Sequence, residues 1–249
     1  MKMVLKFFLV ASIVTFSPLS AVQADRPITI VADEWPPFSG NSLPNGGISL
    51  DVISAVLTKA GYDVSTQVLP WPRVMDGART GKYDIVGSLF HDAEIEKFMA
   101  YGDPFYETQV QFVRKVGAQH NVTGFEDLKP FSIAVGDGFL YDEKFDRAND
   151  LNKVVVTTTI QGLQMVAHGR VDLTLDSVEV VRHGLSFDDP SISEMVEVLP
   201  FILAKHGIHM AIRRSHPDHA KIVADFNQTL AEMRRDGSLT KLLEKHIVE

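Results

Sequence analysis

The hydrophobic positions of residues 27–89 alternate between the two-residue period of strands and the 3.6-residue period of helices. Residues 27–32 alternate and predict a strand. Residues 49–63 predict a helix, with Ser49 as a candidate N-cap and Gly61 as a candidate left-handed stop. Three elements follow in order: a strand around 64–68, a short helix from Pro72 to about Thr80 that Gly81 ends, and an apolar strand from Tyr83 to Leu89. This order predicts a parallel sheet with helices on its faces.

The second half of the chain repeats this order of elements. The corresponding segments are 131–136, 153–158, 160–168 and 171–175. The halves also share a local pattern, because TGKYDIV at 80–86 resembles HGRVDLTL at 168–175. Each reads as a helix end, a glycine, a basic residue and an Asp that enters a strand. We therefore predict two similar α/β lobes.

Two alternating segments, 109–115 and 207–214, are the candidates for strands that cross between the lobes. A long helix follows them, Gly237 ends it, and Ser238 is a candidate cap for a last short helix. The chain is then expected to return to the first lobe. The predicted limits are 25–110 and 209–249 for lobe 1 and 111–208 for lobe 2.

Composition narrows the possible functions. The chain has 249 residues, 45% hydrophobic and 22% charged, which suits one large domain or two modest ones. A net charge of −8 argues against a nucleic-acid partner, which needs a basic surface. The sequence contains no cysteine, so a disulfide, a thiolate nucleophile and a cysteine metal site are excluded.

Residues 1–24 have the layout of a secretory signal peptide. Lys2 and Lys6 precede an apolar segment, Phe7 to Phe16, that is too short to span a bilayer as a stable helix. Val22 and Ala24 are small residues that suit a cleavage site after Ala24. We expect an exported, periplasmic protein, and an uncleaved membrane anchor is the alternative.

Five motifs, in order, carry a resemblance to a known family. They are GGISLDVISAV, LPWPRVMDGARTGKYDIV, GDPFYET, GRVDLTLDSVEV and FNQTLAEMRRDGSLTKLLEKH. From about Ile28 to Ile247, the chain resembles the periplasmic solute-binding proteins of polar amino acid importers, solute-binding protein family 3. The resemblance implies an α/β fold of two lobes that close like a clamp, each an open α/β sheet, with two crossover strands as the hinge.

The same resemblance implies a binding protein and not an enzyme. A small polar molecule would bind between the lobes and pass to the membrane permease of an ABC importer. A monomer is expected, with no cofactor and no metal. HPDH at 216–219 could suggest a metal site, but it lacks a third ligand and also suits the start of a helix.

The segment DEWPPFSG at 33–40 follows the first predicted strand. The resemblance implies that an aromatic side chain here lines the cleft, so Trp35 and Phe38 are candidate ligand contacts. Both could instead fill the edge of the lobe. Glu34 adds a carboxylate to the same segment, and the two prolines restrict its backbone.

One departure from the family pattern concerns the ligand. The family carries an Arg after the third strand that pairs with the α-carboxylate of an amino acid. Counting back from Asp103 places that position at Ile95, and counting forward from Asp84 places it at Glu96. Neither residue is an Arg. The sequence therefore predicts a ligand other than a standard α-amino acid.

Further candidate ligand contacts follow from the resemblance. Asp176 matches the position that holds a ligand ammonium. Arg73 is the nearest candidate for another anion partner, although it could be a solvated helix residue. The other candidates are Trp71, Phe90, His91, Asp137 and Phe139. Together the acids favour a cationic or zwitterionic ligand.

Two other functions remain open at this point. Some relatives of this fold dehydrate cyclic acids with a cleft carboxylate, and Glu34, Asp137 or Asp176 could be such a general acid if burial raised its pKa. The second of these functions is that of a sensory protein that reports its ligand to a separate membrane receptor.

Overall fold

The computed structural model describes residues 27–246. The predicted signal peptide, residues 1–24, lies outside the described residues. Within the described part of the chain, no helix has both the length and the apolar character that crossing a membrane requires.

The first lobe is built on a parallel sheet. Strand β1 (Ile28–Ala32) pairs in parallel with β2 (Val64–Val68) on one side and with β3 (Ile85–Leu89) on the other. Helices α1 (Ile48–Lys59) and α2 (Trp71–Thr80) connect these strands. The predicted order of strand and helix is therefore confirmed for this lobe.

The second lobe repeats the arrangement. Strand β6 (Ser132–Gly136) pairs in parallel with β7 (Asn152–Val156) and with β8 (Leu173–Ser177). The elements between the lobes and in lobe 2 are α3 (Ala93–Glu96), β4 (Met99–Tyr101), β5 (Tyr106–Lys115), β6 (Ser132–Gly136), α4 (Glu143–Arg147), β7 (Asn152–Val156), α5 (Thr159–Ala167), β8 (Leu173–Ser177) and α6 (Val178–His183).

Two long antiparallel strands, β5 and β9 (Val196–Arg213), connect the lobes. Strand β9 pairs with β5 and, at its far end, with β3 and β4, so the strand order is β2-β1-β3-β9-β5-β8-β6-β7. Both predicted crossover segments lie in these strands, although β9 begins eleven residues before the predicted start. The predicted lobe limits fall at or near these strands and stay a prediction.

Helices α7 (His219–Arg235) and α8 (Ser238–Leu243) return to lobe 1. Phe226 and Leu230 of α7 are fully buried in the same core as Ile53 and Leu57 of α1. Lobe 2 has its own core around Phe112 and Leu128. The two cores agree with the two-lobe organisation.

The predicted serine caps are wrong. Helix α1 begins at Ile48 with Gly47 as its N-cap, so Ser49 lies inside the first turn. Gly47 has φ 96°, and a Cβ there would lie 2.8 Å from the carbonyl oxygen of Phe38, so only glycine fits. In the same way Gly237, and not Ser238, caps α8.

The repeated Asp of the two halves makes the same contacts in each lobe. Asp84 accepts hydrogen bonds from the backbone N–H and the hydroxyl of Thr29, at 3.0 and 2.9 Å. Asp172 accepts the equivalent bonds from Ser132, at 2.8 and 2.7 Å. Each carboxylate therefore ties the start of one strand to the start of its parallel neighbour.

Candidate functional site

The carboxyl ends of the parallel strands of both lobes face one another across a cleft. Ligands of open α/β sheets bind at such ends. The cleft contains about 580 Å³ of empty space that is continuous with solvent. Its lining residues are Asp33, Trp35, Trp71, Ser88, Leu89, Phe90, Ile95, Gly138, Phe139, Leu140, Tyr141 and Asp176.

The loop after β1 turns Trp35 towards the cleft and Phe38 into the core. The Trp35 N–H donates to the carbonyl of Ser39 at 2.8 Å, and the Phe38 N–H donates to the carbonyl of Trp35 at 2.9 Å. The Phe38 carbonyl then accepts from the Ser49 N–H at 2.8 Å, which fastens the loop to α1. Phe38 is fully buried, and Trp35 rests on it with a ring-centroid distance of 4.7 Å.

A second aromatic contact joins this loop to the hinge. The rings of Trp35 and Phe90 meet edge to face at 5.4 Å, and Phe90 stacks on His206 of β9 at 4.3 Å. Phe90 and Phe139, which come from different lobes, each pack against the cores of both lobes. The structure therefore holds the two lobes in contact around the cavity.

Asp176 is the buried carboxylate of lobe 2. It is 3% exposed and accepts hydrogen bonds from the Thr159 hydroxyl and, at 2.7 Å, from the Ser177 N–H. Burial raises the pKa of Asp176 to about 6, and the bonds from Thr159 and Ser177 oppose the rise. The indole of Trp35, from lobe 1, lowers this pKa as well.

Asp33 is the corresponding carboxylate of lobe 1. Its pKa is raised to about 6, chiefly by burial and in part by the negative charges of Asp176 and Glu34, against the effect of its own backbone N–H. The two carboxyl groups thus interact across the cleft. Asp176 is buried, and Asp33 is half-buried.

The loop after β6 supplies the lobe 2 rings. The Gly136 N–H donates to the Tyr141 hydroxyl at 2.8 Å, and the Phe139 ring packs so closely on Gly136 that a Cβ there would lie 2.5 Å from it. The Nε2 of His206 lies 2.6 Å from the Tyr141 carbonyl oxygen, which can only accept, so this nitrogen carries a proton. These contacts fix Phe139 and Leu140 at the cavity.

The segment after β3 presents an apolar side chain to the cavity. Asp92 caps α3 by accepting from the N–H groups of Glu94 and Ile95 at 2.9 and 2.8 Å. Ile95 consequently lines the cavity, whereas Glu96 points away and contacts His91 at 3.3 Å. Of the two positions at which the family pattern places an Arg, Ile95 is therefore the one in the cleft.

Half of the predicted site residues meet at the cavity and half do not. Those that line it are Trp35, Trp71, Phe90, Phe139 and Asp176. The contacts of these residues with a ligand stay a prediction.

The other five predicted residues lie away from the cavity lining. Phe38 is in the core. Glu34 accepts from the backbone N–H and the side-chain amide of Asn41, which draws it to the outer side of the loop. The solvent-exposed candidates are Arg73, His91 and Asp137. For His91, the contact of its Nε2 with the Glu96 carboxylate at 3.3 Å explains its orientation.

Several lining residues were not predicted from the sequence, above all Asp33 and Tyr141. The signal for Asp33 was its position immediately after β1, since the carboxyl ends of parallel strands converge. Tyr141 gave no comparable signal, because it lies five residues beyond the end of β6. Among residues 27–246, no group of three or more acidic or His side chains is arranged to hold a metal ion.

Comparisons with known proteins agree with this geometry. The sequence profile of the bacterial extracellular solute-binding proteins, family 3, matches residues 28–249. The probable amino-acid-binding protein YxeM of Bacillus subtilis (strain 168) is 26% identical over 215 residues, covering 82% of this chain and 76% of that protein.

Solved structures share the fold. A histidine kinase sensor domain with similarity to periplasmic binding proteins has a TM-score of 0.77 at 17% identity, covering 89% of this chain and 96% of that one. An ancestral amino acid-binding protein, described as a precursor of cyclohexadienyl dehydratase, has a TM-score of 0.70 at 23% identity, covering 89% and 96%. At these identities the likeness establishes the fold alone.

Proposed function

The chain belongs to family 3 of the bacterial extracellular solute-binding proteins, and from this premise we propose that it captures a small solute in the periplasm for an ABC-type importer. The predicted signal peptide supports export, and the family description supports a location outside the cytoplasm. The importer's permease is the proposed partner, and the capture step breaks no bond in the solute.

The observation that carries this proposal is a cavity lined by both lobes. Trp35 comes from lobe 1 and Asp176 from lobe 2, and the two side chains contact each other at the cleft. A ligand that touches both lobes binds the closed arrangement better than an open one and so shifts the protein towards it. The importer could then distinguish loaded from empty protein by the closure.

The lining supports a ligand other than a standard α-amino acid. A ligand α-carboxylate needs a buried cationic partner. Ile95 lines the cavity where the family pattern places an Arg, and Arg73 is exposed outside it. Amino acids remain essential members of any screen, because a relative carries the name of a probable amino-acid-binding protein.

The test combines ligand screening with a measurement of closure. Residues 25–249 would be screened by thermal shift against amino acids, amines, small carboxylic acids and sugars. A ligand present at 100 times its Kd should stabilise the protein by about 2.7 kcal/mol. Small-angle scattering should then show the same or a smaller radius of gyration. If no class of small solute binds, the proposed function fails.

A dehydratase-like enzyme is the second candidate. It is favoured by Asp176 and Asp33, whose pKa values of about 6 suit a general acid near neutral pH. Mass spectrometry of a bound solute after prolonged incubation separates the candidates. An unchanged solute supports capture, whereas a product 18 mass units lighter, formed in many turnovers, supports the enzyme.

A further inference from the structure

The cavity combines two carboxylates with aromatic rings. Resting on the proposed function, we infer that the ligand is a small organic cation that carries an ammonium or guanidinium group and no carboxylate. Asp33 from one lobe and Asp176 from the other would share its charge.

Asp33 is a carboxylate without a counter-charge. In the part of the chain that the structure describes, no basic side chain pairs with it. The side chain is half-buried and lines the cavity. Removing a carboxylate from water without a counter-charge is unfavourable, so a bound cation would offset this cost.

Asp33 and Asp176 are both negatively charged and interact across the cleft. Asp176 already accepts from the Thr159 hydroxyl and the Ser177 N–H, so its oxygens are held in place by neutral donors. These donors orient the carboxylate and leave the mutual repulsion of Asp33 and Asp176 uncompensated. One cation between them would convert this repulsion across the cleft into attraction. Closure of the lobes would then depend on the ligand.

The aromatic side chains of the cavity also suit an organic cation. Trp35, Trp71, Phe90 and Phe139 all line the cavity. Aromatic faces attract cations and also cover apolar carbon chains. An amine with a hydrocarbon or aromatic body therefore matches this lining in both respects.

The lining of the cavity excludes a carboxylate on the ligand. None of the described lining residues is Lys, Arg or His, and Leu89 and Ile95 are apolar. A ligand carboxylate would lose its water without gaining a cationic partner, and Asp33 and Asp176 would repel it. The site thus discriminates against amino acids in two ways: its carboxylates repel the ligand carboxylate, and no lining residue offers that carboxylate a cationic partner.

The experiment uses matched pairs that differ by the carboxylate alone. Isothermal titration of residues 25–249 would compare agmatine with arginine, cadaverine with lysine, and phenethylamine with phenylalanine. In at least one pair, the amine should bind at least tenfold more tightly than the amino acid. If no amine binds at least tenfold more tightly than its amino acid, or if no amine in the panel binds, the inference is wrong.

A variant tests the assigned pair. Asp33→Asn removes one charge and keeps the shape, so it should weaken binding of the amine at least tenfold and raise the melting temperature of the empty protein. Glu194→Gln removes an exposed charge of lobe 2 and is the matched control. It should change neither the binding of the amine nor the melting temperature. Unaltered amine binding by Asp33→Asn would contradict the role of Asp33.

The outcomes separate this inference from the proposed function. If an uncharged or carboxylate-bearing solute binds in the cleft and closes the lobes, capture is supported and the cationic ligand is wrong. If no solute of any class binds, both fail.

Discussion

The indole of Trp35, in the loop after the first strand of lobe 1, lowers the pKa of the Asp176 carboxyl group, in the last parallel strand of lobe 2. Both side chains are largely buried, at 9% and 3% exposure. An interaction that lowers the pKa of a carboxyl group stabilises its charged form. The contact between Trp35 and Asp176 therefore helps to hold the two lobes together around the cavity.

Trp35→Phe should weaken ligand binding without greatly changing the fold. The variant keeps an aromatic ring on Phe38 but removes the indole N–H, whose interaction with Asp176 lowers the pKa of that carboxyl group, so we expect a loss of about 1–2 kcal/mol in binding free energy. Titration calorimetry measures this loss, and scattering should report a more open empty protein. Trp71→Phe is the matched control, because it also shortens a lining ring. An equal loss in both variants would show that ring size and not the indole N–H matters.

Phe38→Ala should act on stability. Phe38 is fully buried between Trp35 and Tyr106, and a buried Phe→Ala change costs about 3–5 kcal/mol. Urea unfolding measures this loss.

Phe139→Ala is the comparison for Phe38→Ala, because Phe139 is half-buried at the cavity and should affect binding more than unfolding. A Phe38→Ala protein of normal stability with impaired binding would restore Phe38 to the ligand site.

Much of the fold could be predicted because local patterns and tertiary structure agree. Gly81 has φ 78° at the end of α2, as the stop signal implied. The early start of β9 was not predicted, because Pro200 interrupts its pattern. The structure accommodates this proline where the pairing of β5 with β9 shifts register, between the pairs Gln111–Ile202 and Val113–Val198.

The site was less predictable than the fold. Position after a strand brings Asp33 and Trp35 to the cleft, but it does not decide which side chain of a loop turns inwards. Phe38 and Trp35 are three residues apart in one aromatic segment, and the tight turn between them sends one to the core and the other to the cavity. Such turns depend on tertiary hydrogen bonds to α1, which local sequence patterns do not specify.

The repeated Asp gives a stability prediction with an internal control. Asp84 is 1% exposed and is held by Thr29 and, at 3.1 Å, by Arg213. Asp84→Ala leaves the mostly buried guanidinium of Arg213 without its carboxylate partner, which should cost about 3–5 kcal/mol in urea unfolding. Asp172→Ala removes the equivalent bonds to Ser132 from a more exposed side chain and should cost less. An equal or greater loss at Asp172 would contradict this.

The raised pKa values predict opposite pH dependences for stability and for binding of a cation. Asp33 and Asp176 have pKa values of about 6 in the folded protein and 3.8 as the ordinary value. Their contribution to the free energy of unfolding is therefore fully present below about pH 4 and is lost as the pH rises through 6. Each contributes at most about 3 kcal/mol, since one pKa unit corresponds to about 1.4 kcal/mol.

Binding of a cation follows the opposite trend, because protonation of either carboxyl group removes the charge that attracts it. Affinity for an amine should fall as the pH drops from 7.5 to 5. The groups that face this pair, Glu34, Glu179 and Tyr141, and others elsewhere also titrate, so the informative quantity is the difference between the wild type and Asp33→Asn. Removing Asp33 should flatten both curves. If the unfolding and binding curves of the variant keep the wild-type slopes between pH 5 and 7.5, titration of Asp33 and Asp176 does not cause the pH dependence.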